Sequence, residues 1–124
     1  MANLAAPLGR LLLSILFILG GLGKFGDVAG TGAYMQSMGI PAALALPAAA
    51  FELLAGLAIL VGWQTRIVAL LLAGFCVVTA LIFHHNFADQ VQLIMFLKNL
   101  AIAGGFLTLY ANGAGAMSLD ARKA

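Results

Sequence analysis

The sequence predicts an all-α membrane protein, a bundle of four transmembrane helices with both termini in the cytoplasm. Three observations carry this expectation. Only 8% of the 124 residues are charged, where a soluble domain carries about 25%. Four apolar runs each approach the ~20 residues a helix needs to cross the hydrocarbon core, and in lipid such a segment must satisfy its own backbone, which here means a helix. Basic residues gather at alternate ends of those runs. Hydrophobic residues make up 64% of the chain and mean hydropathy is +1.10, so residues 1–124 read as a single membrane domain.

The first span covers about residues 8–25. It resembles a signal peptide only superficially. Arg10 is its sole early charge, no Ala-x-Ala site follows, and it is long enough to span, so it reads as an uncleaved helix. The second span covers 42–62, broken near its start by Pro47; the third covers 67–84 and the fourth 91–110. The links around WQTR and HNFADQ are short, which makes the helices they join antiparallel. The longer link from Gly26 to Pro41 has two readings. Thr31 can cap a short interfacial helix over residues 33–38 that Gly39 ends, or the link is an irregular loop.

With four spans, both termini and the WQTR link share one side. Arg10, Arg66, Arg122 and Lys123 fall there, against Lys24 on the other, so the positive-inside rule sets that side in the cytoplasm. Trp63 and Tyr110 sit at the same helix ends, as interfacial aromatics do. The scattered basic residues and net charge of +2 offer no footprint for nucleic acid. Single Cys76 excludes an internal disulfide, a CxxC redox pair and a thiolate metal cage, and reads as a small buried hydrophobe.

Two ions stand inside the spans. Glu52 lies about 15 Å from the outer boundary and Lys98 about 10 Å, counting 1.5 Å per residue. Intramembrane ions are costly and mark functional sites with partners, so each is expected to pair with the other, with Asn99 adding an amide. Ala48, Ala49, Ala55 and Gly56 beside Glu52, and Ala101 and Gly105 beside Lys98, would let the two helices approach. Lys24 and Arg10, at helix ends, read first as snorkelling anchors, with Lys24 a further candidate for the ligand or proton site. His84, His85 and Asp89 form a candidate polar site at the outer interface. Adjacent histidines project about 100° apart on a helix and cannot both ligate one haem, so no metal is assigned.

Arg10, Gly20 and Lys24 in the first span, Gly39 and Pro41 in the link, Glu52, Gly56 and Gly62 in the second span, Lys98, Asn99, Gly104 and Gly105 in the fourth, and the tail SLDA together resemble the DoxX family of small bacterial inner-membrane proteins. The resemblance spans nearly the whole chain. It implies a link to quinol or thiosulfate:quinone oxidoreductase systems, to quinone and thiol-oxidant (oxidative) stress, or to membrane complexes with detoxifying enzymes. No haem, flavin or iron–sulfur motif is present, so no intrinsic cofactor is expected and a bound quinone is the candidate ligand.

Three functional readings follow. The first is a redox-linked membrane subunit that binds a quinone-like amphiphile beside Glu52 and Lys98. The second is a non-catalytic scaffold subunit of a membrane oxidoreductase, with the ions purely structural. The third is a small carrier, formed as a homo-oligomer because four short helices enclose little volume. Whether any turnover occurs stays open at this point.

Overall fold

The computed structural model describes residues 2–123, with side chains described for 4–121. The side chains of Arg122 and Lys123, counted above for orientation, lie outside the described residues. Six α-helices follow one another among the described residues: α1 (Ala2–Gly26), α2 (Val28–Ser37), α3 (Ala45–Val61), α4 (Thr65–Phe83), α5 (Gln90–Asn112) and α6 (Leu119–Lys123). No strand occurs among the described residues. Among the described residues, four helices are long and apolar enough to cross a membrane: Leu4–Gly26, Ala42–Val61, Thr65–Phe83 and Gln90–Asn112. They match the four expected spans to within a few residues.

The long link is more ordered than its sequence indicated. Helix α2 starts at Val28, because the Asp27 carboxylate accepts a hydrogen bond from the Gly30 amide at 2.9 Å and so caps the helix. Thr31, the expected cap, lies inside it. Gly39, at φ +84°, ends the helix as expected. Tyr34 stacks on Phe83 with ring centroids 5.4 Å apart, which ties α2 to the end of α4. The break at the start of the second span is a single 3-10 turn, Ala42–Leu44. Pro47 falls in the first turn of α3, where its missing N–H has no intrahelical acceptor to lose.

The bundle is built from two antiparallel pairs, α1 with α3 and α4 with α5. The first pair depends on glycine. A Cβ on Gly21 would lie 2.8 Å from the Leu53 amide nitrogen and 2.9 Å from the Ala49 carbonyl oxygen, and one on Gly56 would lie 3.1 Å from the Ile18 nitrogen. The backbones therefore touch, which maximises the van der Waals packing that holds helices together in lipid. The pairs meet at an aromatic layer. Phe17 of α1 sets its edge against Phe106 of α5 at 5.5 Å, and Phe51 of α3 lies 5.2 Å from Phe75 of α4. Ile59, Leu72, Cys76 and Ala103 complete the core. Leu12, Leu19, Leu54 and Leu81 are exposed, as lipid-facing side chains should be.

One end of the bundle is closed by Arg10. Arg10 is 2% exposed, and its guanidinium donates to the carbonyls of Leu60 at 2.9 Å, Ile59 at 3.3 Å and Met117. The snorkelling expectation is thus corrected. Arg10 turns inward, where the carbonyls at the C-terminus of α3 offer partial negative charge. Gly62, at φ +74°, makes room: a Cβ there would lie 2.4 Å from Ser118 Cβ and 2.9 Å from Arg10 Nη1. The tail finishes the closure. Asp120 accepts from the Gln64 and Thr65 amides at 2.8 and 2.9 Å, capping α4 from 55 residues away in sequence.

Candidate functional site

Glu52 points from α3 into the α1–α3 seam. A Cβ on Gly20 would sit 3.3 Å from its Oε1, so glycine at that position leaves the space the carboxylate fills. Lys24, one helical turn further along α1, brings its ammonium to 2.6 Å from Glu52 Oε2. The contact is ionic, set by proximity, since Oε2 is sealed from solvent without a hydrogen bond of regular geometry. The two partners differ in access: the Glu52 side chain is 8% exposed and that of Lys24 32%. The site is therefore a closed carboxylate covered by a partly exposed lysine side chain.

The expected pairing of Glu52 with Lys98 is corrected. Helix α3 packs on α1, not on α5, and Lys98 is exposed on the outer surface of α5. The physical reason is angular. Lys98 and Asn99 are adjacent and project about 100° apart, so only one can face the bundle, and Asn99 is the one that does. Its amide donates to the Cys76 carbonyl at 3.3 Å and to Thr79 Oγ1 at 3.2 Å, joining α5 to α4 instead of joining Lys98. Gly56 faces Phe17 and Ile18 of α1, and Gly105 faces Leu13 of α1, so the small residues serve different neighbours from those expected. Lys24 replaces Lys98, and its position four residues after Gly20 was the available signal.

The polar residues around the α4–α5 link separate into local roles. His84 Nδ1 lies 3.2 Å from Gln92 Oε1 and His85 Nδ1 lies 3.0 Å from the Ile82 carbonyl. Asp89 caps α5 by accepting from the Val91 amide at 3.0 Å. Cys76 is buried in the core. Two open cavities lie towards the Arg10 end: one of about 460 Å³ beside Thr65, Arg66, Asn112 and Gly113, and one of about 290 Å³ between α1 and α5, lined by Gly9, Arg10, Leu13, Gly105 and Leu109.

Comparison with known proteins agrees with this architecture. The chain is 50% identical over 111 residues to inner membrane protein YqjF of Escherichia coli (strain K12), covering 90% of this chain and 85% of that protein. It is 38% identical over 122 residues to inner membrane protein YphA of the same organism, covering 93% and 87%. Over 64 residues it is 39% identical to CatD of Bacillus subtilis (strain 168), whose name marks it as a candidate oxidoreductase, with 52% and 48% of the two chains covered. No solved structure matches. Four apolar spans and relatives of this kind make the chain a multi-pass inner-membrane protein. The DoxX family model matches residues 5–85, a stretch that holds Arg10 and both members of the ion pair, and the chain belongs to the DoxX family.

Proposed function

We propose that this protein is a small integral subunit of a respiratory or quinone/thiol redox system, oriented with both termini in the cytoplasm, and that it binds a quinone-like amphiphile at the mouth of the α1–α3 seam. The observation that carries this reading is the Lys24–Glu52 pair, with its carboxylate side chain enclosed and its lysine side chain about a third exposed. Lys24 has N–H donors to spare after meeting Glu52. A quinone carbonyl oxygen entering from the lipid accepts one of them, while Glu52 fixes the ammonium and balances its charge. The likeness to CatD supports a redox setting. Arg10 and Arg66 at the end shared by the termini support the orientation under the positive-inside rule.

A second reading, a scaffold subunit with a structural ion pair, draws on the close fit of the Glu52 carboxylate against Gly20. One experiment separates the two. The doubly apolar variant Lys24→Met with Glu52→Leu removes both ions and their desolvation cost together, so it folds. Ubiquinone retained per protein after mild extraction is then compared with the wild type. The ligand reading expects retention to fall to background, because two apolar side chains offer no hydrogen bond to the carbonyl. Retention equal to the wild type would establish the scaffold reading.

A further inference from the structure

The outward face of α5 carries a charge that the chain itself does not meet. Lys98 is exposed, and among the described residues it makes no hydrogen bond or ion pair. It stands eight residues beyond Gln90, the first residue of α5, about 12 Å along the helix axis, which is within the apolar span. Ala101, Gly104 and Thr108 are exposed along the flank that adjoins Lys98, within about a third of a turn of it. A Cβ on Gly104 would meet nothing within 4 Å. Helix α5 is also the least covered span, with 11% of its apolar window buried against 22%, 33% and 28% for the other three. An unpaired ammonium at this depth is unfavourable.

We propose that this face docks a transmembrane helix of another protein, one that carries a carboxylate at the depth of Lys98. Charge decides the occupant. A second copy in the same membrane would present its own α5 in the same direction, lysine against lysine in a twofold pair. Nor does a second copy hold a spare carboxylate at this level. Glu52 is enclosed against Lys24, while Asp27, Asp89 and Asp120 cap the ends of α2, α5 and α4. A foreign acidic helix satisfies the lysine, and the small residues that follow it let the two backbones approach. This inference does not depend on the quinone reading, since Lys98 and the Lys24–Glu52 pair lie on different helices.

The test uses the full chain, labelled with a fluorophore and reconstituted in phosphatidylcholine vesicles. A labelled synthetic leucine–alanine transmembrane peptide is titrated in, bearing one Glu at matching depth, and is compared with the same peptide bearing Gln. The buffer is mildly alkaline so that the peptide carboxylate is ionised. Energy transfer is expected to show the Glu peptide binding about tenfold more tightly than the Gln peptide. Lys98→Met should abolish that preference, and Lys98→Glu should transfer it to a peptide bearing Lys. Equal binding of the Glu and Gln peptides by the wild type would overturn the proposal and leave lipid phosphate as the partner of Lys98. So would a preference that survives in Lys98→Met.

Discussion

At the scale of single residues, the protein places its few polar groups where the backbone has left room for them. Gly62 is the sharpest instance, since its left-handed backbone and its contact with Ser118 and Arg10 both exclude a side chain. Gly62→Ala is expected to lower stability by about 2 kcal/mol or more, combining backbone strain with displacement of the buried guanidinium; thermal unfolding in detergent reads the loss. Lys98→Met should have the opposite sign or none, because the side chain faces outward and has no partner within the chain to lose. The intramembrane ions themselves were legible in the sequence, as interruptions of otherwise apolar runs. Their pairing was not. Depth along a helix follows from counting residues, but the direction in which a side chain points depends on which helix lies opposite, and that is decided by contacts spread along the whole seam.

At the scale of elements, glycine and the chain termini do the organising. Gly21 and Gly56 bring α1 and α3 into backbone contact, and that contact is what puts Lys24 over Glu52. Gly21→Leu should force the helices apart, lowering stability and separating the pair; cysteines placed at residues 24 and 52 would then cross-link more slowly than in the Gly21 background. The tail acts as a remote cap. Asp120→Ala should cost about 0.5–2 kcal/mol through the lost cap on α4, and Asp120→Asn should recover part of it. Span boundaries and the ends marked by Gly39 and Gly62 were legible because turn chemistry is local. The cap from Asp120 was not, because its partners lie 56 and 55 residues away and nothing in the tail's composition names them. The start of α2 was misread for a related reason, since both Asp27 and Thr31 are sound N-cap residues and the choice between them depends on how α2 packs.

At the scale of the whole molecule, two helix pairs joined by an aromatic layer leave, among the described residues, an acid–base pair with an enclosed carboxylate on the α1–α3 side and an exposed lysine on the α5 side. The all-helical membrane class was legible in the scarcity of charge and the length of the four apolar runs, because so few charged residues leave lipid as the only suitable solvent. The central claim is that Glu52 is held by Lys24 across the α1–α3 seam and not by Lys98. Two double-mutant cycles on thermal stability in detergent test it together, one built from Glu52→Leu with Lys24→Met and the other from Glu52→Leu with Lys98→Met. The account predicts a coupling of about 1–3 kcal/mol in the first, since removing either ion strands the other in an apolar setting. It predicts additivity within about 0.5 kcal/mol in the second. Strong coupling between Glu52 and Lys98, with additivity between Glu52 and Lys24, would contradict it.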